Sequence, residues 1–355
     1  MKTIPEVIQR MPKVEIHIHL EGAFTFEFLF DLIQKYGGNP EINDLTDLHN
    51  KFIFKNFNHF IETWYWKNNY FRTAEDFEES TYQTIKNLSL QNVIYTEVFF
   101  SPWDFVRDKL KLESIVDGTI SGIRRAEKDY SIKCNLIADI VRDHGSESSL
   151  QRLNQITPYL DKGIVGIGLG GNERAFPTHL FKEVFLEAER RGFRTTVHAG
   201  EAEGPESIWQ ALNELKAERI GHGVRSVEDP LLVDYIIKNQ IPLEVCITSN
   251  LKTRVFASLN DHPFDFLFRN GAKVTVNSDD PSMFGSNITD ELFLLYQQLN
   301  YSTKELKQLT KNAIDVSFMQ QEEKIMYNNI IDNYPNTNSH PEDRISNTGG
   351  SFCNS

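Results

Sequence analysis

Pro12-Lys-Val-Glu-Ile-His-Ile-His-Leu-Glu-Gly22 reads as a short strand, Lys13–His19, that runs straight into a loop with one glycine. Residues i and i+2 of a strand point to the same face. His17 and His19 therefore leave the strand end side by side, as half of a site for zinc or a similar divalent ion. The loop also decides between folds. A doubly wound open sheet carries a glycine-rich nucleotide loop after its first strand, and His19-Leu-Glu-Gly-Ala23 is not one.

Further β-rich apolar runs predict strands at Ile94–Phe100, Lys133–Val141, Gly163–Leu169, Arg194–His198, Arg219–His222, Pro242–Ile247 and Lys273–Ser278. Helix-period segments lie between most of them: Ala74–Leu90, Leu112–Lys128, Leu180–Arg191, Ser207–Lys216, Pro230–Lys238 and Pro263–Asn270. Eight strands, each followed by a loop and usually a helix, specify an α/β fold, the closed parallel (β/α)₈ TIM barrel. Extra helices are expected after the first strand and at the C-terminus. More than seventy residues separate the first two strands, including the aromatic run Phe52–Trp66. Within it Phe57, Phe60, Ile61 and Trp64 form one helical stripe, which either packs on the barrel or closes its mouth as an apolar lid. Ser302–Asn333 predicts a helix pair opened by a capping box, Ser302-Thr-Lys-Glu305. Residues 1–334 thus read as a single barrel domain. Residues 335–355, with almost no apolar content, read as a disordered polar tail.

Bulk properties narrow the function. The chain has 355 residues, 40% hydrophobic and 25% charged, with a net charge of −13. Nucleic-acid binders need a basic surface to displace counterions, so the balance argues for a small-molecule partner and against nucleic acid. Cys134, Cys246 and Cys353 form neither a disulfide framework nor a Cys-x-x-Cys clip, which implies a reducing compartment. The N-terminus has no apolar leader core, and no stretch is long and uncharged enough to span a membrane. The cytoplasm is the expected location.

Chemistry gathers at the predicted strand ends, which converge on one mouth in a barrel. The fifth strand ends Thr196-Val-His198-Ala-Gly-Glu201, the sixth Ile220-Gly-His222-Gly223, and the eighth Val276-Asn-Ser-Asp279-Asp280-Pro281. Three imidazoles and a carboxylate, from His17, His19, His198 and Asp279, make a zinc set with room for water. Such a metal lowers the pKa of water toward neutrality. His222 is the candidate base left over, Asp280 should point toward substrate, and Glu201 could act as a proton donor if its surroundings keep it neutral. Two-metal barrels usually bridge their ions with a modified lysine at the end of the fourth strand. Gly168-Leu-Gly-Gly171 has none, so one zinc per chain is expected.

Pro12-Lys-Val-Glu-Ile-His-Ile-His, His198-Ala-Gly-Glu, Ile220-Gly-His-Gly and Ser278-Asp-Asp-Pro, in that order, resemble the adenosine deaminase family of the amidohydrolase superfamily. The resemblance runs from about residue 11 to about residue 320. It implies zinc-dependent hydrolytic removal of the 6-amino group of an aminopurine, with adenosine or 2′-deoxyadenosine as first expectation. It implies that His17, His19, His198 and Asp279 bind zinc and that Glu201 protonates purine N1. His222 would orient and deprotonate the water, Asp280 would bond N7, and the Gly171 N–H would contact N3. Phe57, Phe60, Ile61 and Trp64 match the family's lid. Departures bear on the substrate. Glu21 stands where adenosine deaminases mostly carry the Asp that bonds the ribose 5′-hydroxyl; adenine and aminodeoxyfutalosine deaminases tend to have Glu there. Asn277–Gly285 leans toward those branches, Ile220-Gly-His-Gly leans away from adenine, and Gly171-Asn-Glu173 replaces Gly-Asp-Glu. A different mononuclear amidohydrolase and a non-catalytic binding protein are the other readings.

Overall fold

The computed structural model describes residues 4–54, 57–107 and 110–335, with the backbone alone at residues 57, 58, 60 and 61. Eight parallel strands follow one another in chain order: β1 Lys13–His19, β2 Val93–Phe100, β3 Lys133–Asp139, β4 Ile164–Gly168, β5 Arg194–Ala199, β6 Arg219–His222, β7 Leu243–Val245 and β8 Val274–Val276. The nearly closed barrel is completed between its last and first strands by a bridge from Ile18 to Asp279. There the His19 N–H donates to the Asp279 carbonyl at 2.8 Å and the Asp279 N–H to the His17 carbonyl at 3.2 Å. The expected (β/α)₈ barrel is the observed fold.

Four strands are shorter than expected: β3 and β4 each lose two residues, and β7 and β8 are half the expected length. Pro242–Ile247 contracts to β7 because a helix, Ile247–Lys252, starts where the strand stops. Lys273–Ser278 contracts to β8 because the chain after Val276 crosses to β1. The Asn277 Oδ1 accepts the Ile16 N–H at 3.0 Å, and the Glu15 Oε1 accepts the Ser278 N–H at 2.7 Å. The helix expected from Leu180 begins at Lys182, after a 3₁₀ turn over Thr178–Phe181.

The insertion after β1 holds the helices Phe26–Lys35, Leu45–Lys51 and Phe57–Asn68 ahead of Ala74–Leu90. At the other end the helices Thr303–Val316 and Gln321–Asn333 form, and the Ser302 hydroxyl caps the Glu305 N–H as its box predicts. The disorder expected of the polar tail falls, beyond Pro335, outside the described residues.

Both faces of β1 are covered, as parallel barrels require, but they differ in kind. Val14 and Ile16 pack outward with Ala313, Ile314, Met319 and Ile331 of the C-terminal helix region. The alternate residues Glu15, His17 and His19 share the opposite face. That interior is polar where TIM barrels usually stack aliphatic layers. The fully buried Arg219 pairs with Glu97 at 2.6 Å and with Glu244 at 2.5 Å. Phe318 closes that column from below: its ring lies 3.7 Å from the guanidinium, and its N–H donates to Glu97 at 2.5 Å. Among the described residues no helix is long and apolar enough to cross a membrane.

Candidate active site

The polar column ends upward in His17. Glu244 Oε2 accepts from His17 Nδ1 at 2.7 Å, so the ring turns its Nε2 toward the mouth, the orientation that carboxylates enforce on ligating histidines. Burial opposes the charge on Glu244, but Arg219 and the His17 contact outweigh it and hold the carboxyl below its usual range. His17 Nε2 lies 3.5 Å and His19 Nε2 3.2 Å from Asp279 Oδ1. His19 Nε2 and His198 Nε2 are 3.2 Å apart.

One ligand atom from each of these four residues lies within 4.8 Å of the others. His17 Nε2 is buried with no hydrogen-bond partner. Ring nitrogens and a carboxylate oxygen converging on one point, one of them orphaned, form the donor set a divalent cation takes. His17, His222, Cys246 and Asp279 also lie within that reach of one another. Burial raises the Cys246 thiol well above its usual value.

Two of the site residues sit in the left-handed backbone region, His222 with φ 59° and Asp279 with φ 65°. Non-glycine residues adopt it at a cost that surrounding structure must offset. At Asp279 the two backbone bonds to β1 do so. His222 Nε2 lies 3.6 Å from Glu201 Oε2 and 3.9 Å from Asp279 Oδ2, and burial lowers the ring's pKa to about 3, leaving it neutral.

Glu201 is carried by a loop that one carboxylate holds in shape. Glu173 accepts from the N–H groups of Gly200 at 2.8 Å, Glu201 at 3.3 Å, Ala202 at 2.9 Å and Glu203 at 2.9 Å. Burial, then the Asp279 and Glu173 charges, push the Glu201 carboxyl up to about 8. A carboxylic acid that stays protonated at neutral pH is what a proton donor requires.

A second polar cluster adjoins the first. Glu21 Oε1 accepts the Ser101 N–H at 2.8 Å, while Glu21 Oε2 and Asp280 Oδ1 are buried without partners. Burial raises each carboxyl to about 7. Lys67, fully buried, opposes both shifts, and its own pKa falls to about 8. Its ammonium bonds Asn68 Oδ1 at 2.7 Å and sits 4.0 Å from the Trp64 ring centre.

The family model for adenosine deaminase matches residues 12–334. The chain belongs to the adenosine deaminase family. It is accordingly a hydrolase that acts on C–N bonds in cyclic amidines. A protein named adenine deaminase from Ectopseudomonas mendocina is 35% identical over 308 residues, covering 87% of this chain and 98% of its own. The crystal structure of adenine deaminase from Arthrobacter aurescens superposes with a TM-score of 0.87 at 30% identity, covering 91% of this chain and 99% of that one. The Arabidopsis N6-mAMP deaminase superposes at 0.82 with 25% identity, covering 92% and 99%.

Other expected site residues of this adenosine deaminase family member are placed less centrally. Gly171 is exposed, in a turn with φ 92° where a Cβ would lie 2.3 Å from Asp143 Oδ2. Of the lid stripe, Trp64 is half-buried against the core. The side chains of Phe57, Phe60 and Ile61 lie outside the described residues. Glu244 and Lys67 are absent from the sequence reading, and Glu173 figures there only as the last residue of Gly171-Asn-Glu173. A charged residue inside the apolar strand Leu243-Glu-Val245 was one usable signal. Lys67, one helical turn after Trp64, was another.

Gly22 yields a prediction. A Cβ there would lie 1.8 Å from Asp280 Oδ1, so Gly22→Ala must displace the Asp280 carboxylate. Misplacement of about 1 Å costs on the order of 10²-fold in rate. We expect steady-state kinetics to record such a fall in kcat/KM, with the metal content unchanged. Full activity in Gly22→Ala would free Asp280 from any placement requirement.

Proposed function

We propose that this enzyme deaminates free adenine hydrolytically, giving hypoxanthine and ammonia. The observation that carries the reading is the pair of buried, unpartnered carboxyl oxygens on Glu21 and Asp280. Two neighbouring carboxyls raised to about 7 share protons, one acting as donor and the other as acceptor. The imidazole edge of a free purine offers the complement, one bare nitrogen and one N–H. A nucleoside has no such N–H, because its N9 carries the sugar. The relatives named adenine deaminase support the same substrate, so adenosine, the first expectation from sequence, becomes the second reading.

We infer that the metal is zinc, one per chain, held by His17, His19, His198 and Asp279. Zinc so bound would supply the Lewis acidity that makes water nucleophilic near neutral pH. Glu201 in its acid form donates to purine N1, which draws electron density from C6. His222 bonds the attacking water. Protonated Asp280 donates to N7, and Glu21 accepts the imidazole N–H. Gly171 N–H meets N3, and the helix Phe57–Asn68 covers the mouth. Loss of ammonia then restores the aromatic ring.

The test is release of ammonia from adenine, adenosine, 2′-deoxyadenosine, 5′-methylthioadenosine and aminodeoxyfutalosine, and of methylamine from N6-methyl-AMP, alongside elemental analysis of the purified enzyme. A site built to bond a substrate N–H rejects analogues without it strongly. Adenine should lead by roughly 10²-fold or more in kcat/KM. A nucleoside or nucleotide preferred to adenine would overturn the reading.

A further inference from the structure

A chain of hydrogen bonds enters the site from the side opposite the metal-ligand group, and its polarity can be read without ambiguity. It begins at a backbone amide, which can only donate. The Phe264 N–H donates to His262 Nδ1 at 3.2 Å. A neutral His262 whose Nδ1 accepts must carry its proton on Nε2. That nitrogen lies 3.2 Å from Asn250 Oδ1, so the oxygen accepts. The Asn250 amide nitrogen then faces His222 Nδ1 at 3.1 Å and donates to it. Reversing the Asn250 amide would set its NH₂ against the His262 N–H, donor against donor. His262, Asn250 and His222 are all buried, so water cannot repair such a mismatch at low cost.

We propose that Asn250 and His262 are positioning residues that fix His222 as its Nε2–H tautomer, presenting a hydrogen-bond donor to the reacting water. The proposal rests on reading the histidine cluster as the reaction centre. An independent observation agrees with it. The two groups that His222 Nε2 faces, Glu201 Oε2 and Asp279 Oδ2, are both carboxyl oxygens. At 3.6 and 3.9 Å neither is a direct hydrogen bond, so a ring that holds its proton at Nε2 presents that N–H to a water lying between them and has no lone pair there to accept with. On this proposal His222 gives up the base role assigned to it from sequence: the ring orients the water, the Glu201 carboxylate formed on protonating N1 takes the water's proton, and that proton leaves on the amino nitrogen as ammonia. Among the described residues, neither Asn250 nor His262 hydrogen-bonds any of the four candidate metal ligands.

The tautomer is directly observable. A long-range proton–nitrogen correlation NMR spectrum of the metal-loaded enzyme with labelled histidine separates pyrrole-type from pyridine-type ring nitrogens. His222 is assigned by the signals that vanish in His222→Asn. We expect a pyrrole-type Nε2 and a pyridine-type Nδ1 for both His222 and His262. An Nδ1–H tautomer at His222 would overturn the proposal. In Asn250→Asp a carboxylate replaces the amide donor, so His222 should move to Nδ1–H or to the doubly protonated ring, and kcat should fall at least tenfold. An unchanged His222 spectrum in that variant would equally reject the relay. If the variant fails to fold, the wild-type spectrum decides alone. No substrate is present in the measurement, so its outcome stands apart from whether adenine is turned over.

Discussion

Glu201→Gln should retain its metal and lose turnover by about 10²–10⁴-fold, the range that a single general acid contributes. Gln preserves the shape of the side chain and removes only the transferable proton. The Glu173 carboxylate that holds the loop through four N–H groups is untouched, so the loop should keep its conformation. The pH profile sharpens the test. Burial and the neighbouring carboxylates raise the wild-type Glu201 carboxyl to about 8. The active form is the protonated one, so kcat/KM should be full below that value and decline as pH rises through it. A divalent cation bound nearby moves this limb toward lower pH without changing its direction. In Glu201→Gln that limb should vanish, leaving a low, flat rate. Elemental analysis together with the two pH profiles checks all of this. Wild-type-like turnover in the variant, or an alkaline limb that survives it, would remove Glu201 from the role of acid.

The site divides into residues that a reader of the sequence can find and residues that only the fold reveals. His17, His19, His198, His222, Asp279 and Asp280 stand at strand ends, and local pattern identifies a strand end. β1 and β6 have the predicted bounds because alternation and the following glycine mark them clearly. β7 and β8 do not: the helix Ile247–Lys252 cuts β7 short, and the end of β8 is set by bonds to a strand far away in sequence, such as Ile16 with Asn277. Glu244 is 227 residues from the His17 it orients, and Glu97 is 122 residues from Arg219. No periodicity encodes such pairings. The composition of a strand can show that it carries a charge, but the partner emerges only once the barrel closes. Lys67 has the same character: its helix was readable as an apolar stripe, while the charge set beside Glu21 and Asp280 follows from how that helix docks.

Arg219→Met should destabilise the protein by about 3–5 kcal/mol, the cost of removing one partner from a buried ion pair. The reason is the company Arg219 keeps. Glu97 and Glu244 lie on either side of it and are fully buried, and Met leaves both without a counter-charge. The two carboxylates differ in what remains. Glu97 keeps the hydroxyl of Tyr95 at 2.7 Å and the Phe318 N–H, whereas Glu244 keeps His17 and the Thr196 hydroxyl. Relief should come from taking up protons, which spoils the Glu244 contact that turns His17 Nε2 toward the mouth. The variant should therefore bind metal more weakly as well as unfold at lower denaturant. Adding Glu97→Gln should recover part of the stability, since it removes one of the stranded charges, and the two changes should be strongly non-additive. It should not recover metal affinity, because Glu244 remains unpaired. Denaturant unfolding of the single and double variants, with metal titrations on each, separates the two effects. Additive stabilities would show that Arg219 and Glu97 act independently, and an unchanged metal affinity in Arg219→Met would break the link from the barrel core to the site.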